Sequence, residues 1–565
     1  MKRILSTLLA AWIYACCTAA PGGDMRIAVV PRPTSVIEAP GTFRLTARTP
    51  IVICDEQLRR PAEIFADAIA ALTGFVPTIT TVNAPAAIVL HLTPGYKPEE
   101  YRLVATRKGV DLTASTPQAI LHGLRTLQQL VSAQGIPACT IEDRPCFAYR
   151  GAMLDVSRHF FPVEEVKTYI DLLSLHKINR FHWHLTDDQG WRIEIRSYPQ
   201  LTAVGSRRAQ TLVGRYSSKG PNQYDGIPYG GYYTQDDIRE IVRYAAERYI
   251  EVIPEIEMPG HGLAALASYP WLGCTGGPYE VWTRWGISDD VYCAGKETTF
   301  RFIEEVLTEV LELFPSKLIH IGCDECPKKR WKSCPLCQQR IREEGLKDEH
   351  ELQSYFVRRI EKWLQARGRE IIGWDEILQG GISKSATIMS WNGQAPGIKA
   401  ARLGNPVIMT PKWYCYFDSS QTSDPARYEP LSNIRYLSVR QVYRLDPLDQ
   451  LAQPHWQQIL GVQCNLWTEF VATLDHAEYM LLPRLAAFAE RAWTGGRLGQ
   501  RPQGVQRFRK TPPLSQAYLR SRRLPICSLS VRRHRIKNPD MRKPADLVSG
   551  LSHIWDRQIC SHVSF

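Results

Sequence analysis

Long apolar runs are almost absent from the chain. Beyond the first 20 of its 565 residues, no stretch contains 18 uninterrupted apolar residues. A membrane-spanning helix needs roughly 20 apolar residues, so the sequence excludes a protein built from several such helices. The one short apolar stretch runs from Ile4 to Ala15 and follows the basic residues Lys2 and Arg3. This pattern is typical of a secretory signal, and we predict a signal peptide over residues 1–20.

The residues after this stretch leave two cleavage positions open. Ala15 followed by Cys16 resembles the cleavage site of a bacterial lipoprotein, in which Cys16 would carry a lipid anchor. Cleavage after Ala20 is the alternative. We therefore expect an exported protein that is periplasmic, an outer-membrane lipoprotein, or secreted.

An excess of one charge sign is also absent, except at the C-terminal end. The chain has 69 Lys+Arg and 57 Asp+Glu, and residues 494–565 hold 15 of these bases but only 3 of the acids. The remainder has 54 bases (69 less 15) and 54 acids (57 less 3). Nucleic-acid-binding domains present a basic face, so a neutral body predicts no nucleic-acid partner.

Cysteine is not scarce, since the chain has 15, and export permits disulfides. We expect a disulfide between Cys274 and Cys293, which flank a loop containing Gly and Trp. Two CxxC pairs, Cys323–Cys326 and Cys334–Cys337, have the spacing of a zinc site. Because the first pair encloses two adjacent acidic residues that have the character of catalytic groups, we predict that these four cysteines bind no zinc.

Residues 22–146 contain no paired acids and no metal-type cluster, so we predict a supporting α+β domain. Apolar residues at helical spacing predict helices over residues 61–72 and 115–131. The strand-like segments are residues 27–30, 51–54, 87–92 and 101–105.

Residues 147–495 alternate short apolar strands with amphipathic helices, and no Gly-rich phosphate loop follows the first strand. That absence disfavours a doubly wound nucleotide-binding sheet. Eight strands joined by crossovers predict an α/β fold, a (β/α)8 TIM barrel preceded by the smaller α+β domain. The strands are predicted over residues 151–156, 180–185, 250–256, 318–323, 371–374, 386–391, 406–409 and 460–466. The helices are predicted over residues 163–176, 234–248, 300–314, 351–367 and 477–493.

The most informative motif is residues 320–325, a short apolar strand that ends in Asp324 and Glu325. Acidic residues are rarely placed at the end of a buried strand for packing alone. Neighbouring strand residues point in opposite directions, so the two carboxylates cannot do the same job. The alternative is that Asp324 merely caps a following helix.

Charged residues follow the first three barrel strands. Arg158 has a guanidinium fork that fits two hydroxyls or a carboxylate, and Asp187 could hold it for substrate; pairing of Arg158 with Asp155 is the alternative. A Pro-Gly turn after the third strand can fold His261 towards Glu257, and such a carboxylate–histidine pair can tune the pKa of a nearby acid. A purely structural loop is the alternative there.

Two histidines of the second strand, His182 and His184, lie close to acidic residues and have the chemistry of metal ligands. They alternate with Trp183 in a buried strand, so we predict hydrogen-bonded core histidines instead. Aromatic residues follow the later strands, and most of these aromatic residues have an acidic residue beside or close to them. Jointly they predict a carbohydrate site. They are Trp374, Trp391, Tyr416 with Asp418, and Trp467 with Glu469.

Taken together, these segments resemble family-20 glycoside hydrolases, the β-N-acetylhexosaminidases. The resemblance covers about residues 25–494, and its motifs occur in the family's order. They are Asp-x-x-Arg-His at 155–159, His-x-His-Leu-Thr-Asp-Asp-Gln at 182–189, Glu-Met-Pro-Gly-His at 257–261, His-Ile-Gly-x-Asp-Glu at 320–325 and Leu-Trp-Thr-Glu at 466–469.

The resemblance implies substrate-assisted hydrolysis of a glycan that ends in a β-linked N-acetylhexosamine, with retention and without a metal or organic cofactor. Glu325 would be the general acid and then the base, and Asp324 would orient the 2-acetamido group. Tyr416 would align the acetamido oxygen, while His261 and Glu257 would keep Glu325 protonated. The residues implied to enclose the acetamido methyl or to bind sugar hydroxyls are Trp374, Trp391, Trp467, Arg158 with Asp187, Asp418 and Glu469.

Three features depart from the family pattern. Cys323 stands where the family usually has Gly, and Glu257 stands where many members have Asp. After residue 495 the sequence becomes basic and irregular, and we hypothesise a frameshifted end over residues 496–565. A catalytically impaired sugar-binding relative and a lacto-N-biosidase-like enzyme that releases a disaccharide are the alternative functions.

Overall fold

The computed structural model describes residues 27–495 of the chain. The expected signal peptide, the lipid anchor at Cys16, the first residues of the N-terminal domain and the tail over residues 496–565 lie outside the described residues and stay predictions. Within the described range, no helix combines the length and apolar character that crossing a bilayer requires.

The N-terminal part is a seven-stranded mixed sheet with two helices packed against it, and its strand order is β1-β7-β5-β6-β4-β2-β3. The strands are β1 Ser35–Phe43, β2 Ile51–Ile53, β3 Ile79–Thr80, β4 Ile88–Leu92, β5 Tyr101–Ala105, β6 Val110–Ala114 and β7 Ile136–Asp143. The helices are α1 Arg59–Thr73 and α2 Pro117–Leu130. Thr116 caps α2 through its side chain, and left-handed Gly74 ends α1.

One predicted strand is wrong here, and four observed strands were missed, namely β1, β3, β6 and β7. Residues 27–30 form no strand; two prolines follow, and the Val30 amide instead donates to the Gln129 side chain. The missed strand β1 is mostly exposed and shifts register between Glu38 and Thr42. As an edge strand it carries polar residues and a proline, which hide the alternating pattern of a half-buried strand.

Residues 149–466 contain a closed barrel of eight parallel strands, which confirms the predicted fold class. The barrel strands are β8 Tyr149–Asp155, β9 Arg180–His184, β10 Glu251–Met258, β11 Leu318–Gly322, β12 Glu370–Trp374, β13 Thr387–Ser390, β14 Val407–Met409 and β15 Ile459–Leu466. The first and last of these strands pair from Tyr149–Gly461 to Leu154–Leu466 and close the barrel.

Helices surround the barrel and bury their apolar faces against it. They are α3 Val163–Leu175, α4 Gln235–Ala246, α5 Glu297–Leu313, α6 Glu349–Gln365, α7 Ala395–Leu403, α8 Leu474–Leu481 and α9 Arg484–Thr494, with shorter helices at Leu263–Ser268, Lys329–Ser333 and Pro335–Glu343. The single helix predicted over residues 477–493 is therefore wrong. Pro483 separates α8 from α9, because proline cannot donate a helical hydrogen bond.

The two parts of the chain meet in a buried junction around Trp493 of α9. Its ring packs into the apolar core of the N-terminal sheet, and its indole N–H donates to Asp143 over 2.8 Å. The ammonium group of Lys177 lies 4.4 Å from the ring centroid and 3.0 Å from Asp143. The barrel's last helix is thus held by the N-terminal domain.

The disulfide expected between Cys274 and Cys293 does not form. Both cysteines are free, as are the other described cysteines. Their sulfur atoms instead lie together with those of Cys334 and Cys337.

Candidate active site

The predicted site residues gather at one end of the barrel because all eight strands are parallel and their carboxyl ends share one face. Arg158 follows β8, Asp187 follows β9, and His261 follows β10, which contains Glu257. Asp324 and Glu325 follow β11. The remaining positions lie at the ends of the last four strands: Trp374 on β12, Trp391 after β13, Tyr416 and Asp418 after β14, and Trp467 and Glu469 after β15.

A polar network that the sequence did not predict forms the floor of this site. Glu255 lies inside the barrel and is fully buried. His182 Nε2 and His320 Nδ1 lie 3.0 and 2.8 Å from its carboxylate oxygens, and His184 contacts it as well. The indole N–H of Trp374 donates to Glu255 over 2.9 Å. These contacts fix the ring of Trp374 from below.

Charge in this floor is balanced between Glu255 and His184. Burial opposes ionisation of Glu255, but the neighbouring His320 and His184 hold its pKa well below the usual value. Burial likewise opposes protonation of His184, yet Glu255 and Asp187 raise its pKa to about 10. Burial lowers the pKa of His182 to about 4, so this ring is neutral. His182 and His184 are therefore hydrogen-bonded core residues, as predicted.

Arg158 is clamped from three sides. Its guanidinium lies 2.7 Å from Asp187 and 3.2 Å from Asp155, and it donates to Gln189 over 2.9 Å. It also lies 5.0 Å from the centroid of the Trp467 ring. Both interpretations left open by the sequence therefore hold: Asp155 stiffens the barrel mouth, and Asp187 holds the same side chain.

His261 has different partners from the one predicted. Its Nδ1 lies 3.3 Å from Asp187 and 3.4 Å from Asp188, and its Nε2 lies 3.7 Å from Glu325 and 3.8 Å from Asp324. Glu257 is not among the carboxylates that pair with this ring in the described residues. The turn at Pro259 and Gly260 carries the imidazole past the end of β10, towards the acids that follow β9 and β11.

Glu257 instead packs against the strand that leads to the acidic pair. A Cβ on Gly322, which has φ +64°, would lie 1.7 Å from the Glu257 carboxylate. Burial, and secondly the charge of Asp324, raise the pKa of Glu257 well above its usual value. Glu257 therefore lies beside Gly322 and Asp324 and is not paired with His261 as predicted, although the charge of His261 acts on its pKa, so its role through His261 stays a prediction.

The acidic pair is held in an unusual backbone conformation. His261, Cys323 and Glu325 have φ values of +49°, +73° and +45°, in the left-handed region that non-glycine residues rarely adopt. Such strain is typical of functional sites. The side chain of Asp324 is 11% exposed and that of Glu325 is 36% exposed, so Glu325 faces the open cleft.

The pKa order in the ligand-free pair is the reverse of the one the resemblance implies. Burial raises the pKa of Asp324 to about 7, although His261 opposes it. Burial also raises the pKa of Glu325, but the nearby charge of His261 outweighs it and leaves the value below normal. Burial opposes protonation of His261, yet the charge of Asp187 raises the pKa of His261 well above the usual value. His261 thus favours ionised Glu325, contrary to expectation.

Cys323 does not crowd the acidic pair. Its buried thiol donates to the carbonyl of Met258 over 2.9 Å, and the Gln353 side chain donates to the backbone carbonyl of Cys323 over 2.9 Å. The side chain is thereby turned towards β10. The positive φ of Cys323 explains why glycine is the usual residue here in the resembled family.

Aromatic rings form the other half of the mouth. Trp374 and Trp467 have ring centroids 5.9 Å apart, and Tyr416 lies 6.3 Å from Trp467. Trp391 stacks on Tyr416 at 6.1 Å with the planes 20° apart. Burial, and secondly the charge of Asp324, raise the pKa of Tyr416 well above its usual value, so its hydroxyl stays a donor. The four rings predicted from separate motifs form one continuous series of contacts at the barrel mouth.

Several buried carboxylate oxygens in the site have no hydrogen-bond partner in the described part of the chain, among them Oδ1 of Asp324 and Oδ1 of Asp418. The other oxygen of Asp418 accepts from Asn433 over 3.0 Å. Burial raises the pKa of Glu469 to about 7 against the opposing charge of Arg158. Unpaired buried acceptors are costly, and a ligand that donates hydrogen bonds would satisfy them.

Sequence reasoning missed Glu255, Asp188 and Glu376. Glu376 accepts from the Trp391 indole over 3.0 Å, and burial raises its pKa to about 8. Asp188 accepts from the Leu263 amide over 3.0 Å and so fixes the start of the helix after His261. The available signal was an acid in the middle of an apolar strand, since Glu255 alternates with buried residues of β10.

Comparisons with known proteins match both parts of the chain to one family. Residues 147–496 match the family model "Glycosyl hydrolase family 20, catalytic domain", and residues 26–144 match "Glycosyl hydrolase family 20, domain 2". A beta-hexosaminidase of Porphyromonas gingivalis is 44% identical over 491 residues, which are 84% of this chain and 61% of that protein. A beta-hexosaminidase of Vibrio furnissii is 39% identical over 82% of this chain and 76% of its own length.

Solved structures show the same likeness. An exo β-N-acetylglucosaminidase from Vibrio harveyi, in complex with N-acetylglucosamine, is 30% identical with a TM-score of 0.77 and covers 89% of this chain and 79% of its own. A β-N-acetylhexosaminidase from Streptomyces coelicolor is 32% identical with a TM-score of 0.74, and the match covers 88% of this chain and 96% of that one. With its barrel, its clustered motifs and a family match over most of its described length, the chain belongs to glycosyl hydrolase family 20.

Proposed function

We propose that the chain is an exo-acting, retaining β-N-acetylhexosaminidase that removes terminal non-reducing β-linked GlcNAc or GalNAc from glycans. The relatives at 44% and 39% identity are beta-hexosaminidases, and the Vibrio harveyi structure carries N-acetylglucosamine. The chain spans 61% of the length of the Porphyromonas gingivalis relative. These likenesses support the substrate class, and the arrangement of residues supports the mechanism.

The observation that carries the proposal is the buried, unpartnered oxygen of Asp324, a residue whose charge acts on Tyr416 among the aromatic rings. A secondary amide N–H is a suitable donor for that oxygen, and a methyl group fits between indole rings. A 2-acetamido group presents both, together with a carbonyl oxygen that the protonated Tyr416 hydroxyl can bind. Such positioning places the acetamido oxygen for attack on the anomeric carbon.

The reaction then proceeds in two balanced steps. In the first, Glu325 gives its proton to the glycosidic oxygen, the bond from that oxygen to the anomeric carbon breaks, and the acetamido oxygen bonds to the same carbon. Asp324 stabilises the positive charge that forms on the acetamido nitrogen. In the second, the Glu325 carboxylate takes a proton from water, whose oxygen replaces the acetamido oxygen. Two inversions give net retention.

Substrate binding must reverse the pKa order found in the ligand-free pair. An amide N–H donated to Asp324 stabilises its ionised form and lowers its pKa from about 7. A sugar ring above the exposed Glu325 removes water from it and raises its pKa. The bound state then has an ionised Asp324 and a protonated Glu325, as the first step requires.

Sugar hydroxyls would be bound by Arg158, Asp418 and Glu469. The Arg158 fork is already fixed by Asp187 and Asp155, so binding loses little side-chain entropy. Asp418 offers an unpartnered oxygen, and a neutral Glu469 can donate as well as accept. All proton transfers in this scheme use side chains of the protein and water.

The test is hydrolysis of a chromogenic β-N-acetylglucosaminide and its galacto epimer by wild type, Glu325→Gln and Asp324→Asn. Loss of about 10² or more in kcat for each variant is expected, because each removes a group that acts in the transition state. Glu56→Gln, an exposed acid of the N-terminal domain, is the matched control and should keep full activity. A thiazoline mimic of the cyclised intermediate should inhibit strongly.

Other outcomes would point to the alternative functions. A folded wild type that binds N-acetylglucosamine without cleaving either substrate would contradict the enzyme and favour a sugar-binding relative. Release of an intact disaccharide from a chromogenic lacto-N-bioside, without cleavage of the monosaccharides, would favour a biosidase. Inversion at the anomeric carbon, seen by proton NMR of the first product, would exclude the acetamido mechanism.

A further inference from the structure

Beside the active site, four cysteines from distant parts of the sequence meet at one point. We call Cys274, Cys293, Cys334 and Cys337 the four-cysteine cluster. Their sulfur atoms all lie within 4.8 Å of one another. Cys274 follows a short turn of helix at Pro270–Leu272, Cys293 precedes α5, and the other two flank the first turn of the helix Pro335–Glu343. Nothing in the proposed reaction uses these thiols.

The distances between the sulfur atoms identify the arrangement. Cys293 lies 3.6 Å from Cys337 and 3.7 Å from Cys334, and Cys274 lies 3.8 Å from Cys337. Four thiolates around zinc, each about 2.3 Å from the ion, form a tetrahedron with edges of about 3.8 Å. A disulfide instead requires about 2.05 Å between bonded sulfurs. The separations match a tetrahedron of ligands, and all four cysteines are free.

We propose that the four-cysteine cluster binds one structural zinc ion. Binding replaces four S–H bonds by four Zn–S bonds and releases four protons, so the complex of Zn²⁺ with four thiolates carries a net charge of −2. Four protein ligands leave no open position for water or substrate, which is the mark of a structural site. Thiolate donors in a tetrahedral array also suit iron, but zinc binds such sites more tightly than ferrous iron.

Backbone around the cluster supports an anionic metal complex. The amide of Gly295 donates to the Cys293 sulfur. A Cβ on Gly295 would lie only 2.3 Å from the Leu336 backbone, so glycine lets this chain pack directly on the pair Cys334–Cys337. The ammonium of Lys296 donates to the carbonyls of Trp271 and Gly273 over 2.8 and 2.7 Å, which places a positive charge beside the cluster. Such outer contacts orient metal ligands.

The cluster joins the loop after β10 to the segment after β11. Between these two parts, the Trp331 indole donates to the Tyr292 carbonyl over 2.9 Å, and the Tyr292 amide donates to the Pro259 carbonyl over 3.0 Å. Pro259 lies two residues before His261, and Trp331 lies six residues after Glu325. The zinc ion would therefore fix the two loops that bring His261 to the acidic pair, without taking part in the reaction.

The first experiment measures metal in the full-length protein purified without chelators. Inductively coupled plasma mass spectrometry should give one zinc per chain. An organomercurial that blocks thiols should release it to a metallochromic dye. Cys293→Ser and Cys337→Ser should each lower the zinc content to below about one-tenth per chain, because one ligand of four is lost. Cys326→Ser, a neighbouring cysteine outside the cluster, is the matched control and should retain one zinc.

A second measurement on the wild type covers the case in which the serine variants do not fold. Replacing the metal with Co²⁺ should give the intense visible and near-ultraviolet absorption of a tetrahedral cobalt–thiolate centre. Two disulfides among the four cysteines, seen as a mass lower by four hydrogen atoms with no alkylation, would overturn the proposal. Iron in place of zinc would also overturn it, as would four free thiols that bind neither zinc nor cobalt. A Cys337→Ser variant that keeps its zinc would do the same.

Discussion

The mouth of the barrel has two halves that are built by different physical means. The half after β8 to β11 is a network of charges in which Arg158, Asp187 and His261 hold the acidic pair. The half after β12 to β15 is a set of aromatic rings in contact, such as Trp391 on Tyr416. The charged half sets protonation, and the aromatic half sets shape.

The difference lies in how each half responds to the loss of one member. In the charged half, every side chain compensates another in a buried setting, so removing one leaves an unpaired charge and shifts the pKa of its neighbours. In the aromatic half, each ring contributes contact area nearly independently, so removing one lowers affinity without changing the pH dependence. Substitutions in the two halves should therefore be separable by pH profile.

The largest effect is expected for His261→Asn in the charged half. The imidazolium favours ionised Glu325 and opposes the raised pKa of Asp324, so its loss should raise both pKa values. We expect kcat/KM to fall by about 10² or more, with its acidic limb moved to higher pH. The measurement is kcat/KM against pH, with circular dichroism to verify folding. An equal loss at every pH would show that His261 has only a structural role.

A smaller effect is expected for Trp391→Ala in the aromatic half. Removing a ring that stacks on Tyr416 should lower kcat/KM by about 30-fold, corresponding to roughly 2 kcal/mol of lost contact, with no shift of the pH profile. Trp391→Phe keeps the ring face and loses only the hydrogen bond to Glu376, so a few-fold loss is expected. Movement of the acidic limb in Trp391→Ala would break the distinction between the halves.

The smallest effect concerns stability rather than rate. The pKa of Asp324 is about 7 in the folded protein against a reference value of 3.8, so the folded state binds this proton more tightly than the unfolded state. Stability is then lost as pH rises through this interval, and the loss is complete above pH 7. Asp324→Asn removes the buried charge and should raise Tm by a few degrees at pH 8 but not at pH 4.

Calorimetry at a series of pH values tests this prediction. The Tm difference between Asp324→Asn and wild type should grow from pH 4 to pH 7 and then level off. Glu325→Gln is the matched control, because the pKa of Glu325 is lowered and its removal should give no such gain. A Tm difference that is constant with pH would mean that Asp324 is not a buried, destabilising charge.

The aromatic half could be predicted almost entirely from the sequence, whereas the charged half could not. Trp374, Trp391 and Trp467 each end a recognisable apolar strand, and parallel strands in a barrel bring such ends together. The partner of His261 depends on how a turn aims one ring in space. Glu257 is the near neighbour in sequence, but Asp187, which follows the preceding strand β9, is the actual partner.

The same limit explains why the sequence did not predict the four-cysteine cluster or the histidine contacts of Glu255. Spacing correctly drew attention to Cys334 and Cys337, but their neighbours are Cys274 and Cys293 from another loop, which no local spacing could reveal. Glu255 meets its histidines only because β9, β10 and β11 lie side by side. Strand positions follow from local patterns of apolar residues, and pairings across strands require the assembled barrel.

Closure of the barrel by β8 and β15 has a consequence for the order of events during synthesis. The bond from the Thr468 amide to Asp155 and the contact of Arg158 with Trp467 join segments 313 residues apart in the first case and 309 in the second. A growing chain therefore carries its acidic pair long before it can complete a sugar site. Contacts of such long separation form late and slowly. On the proposed function, activity would therefore begin only once the barrel is complete.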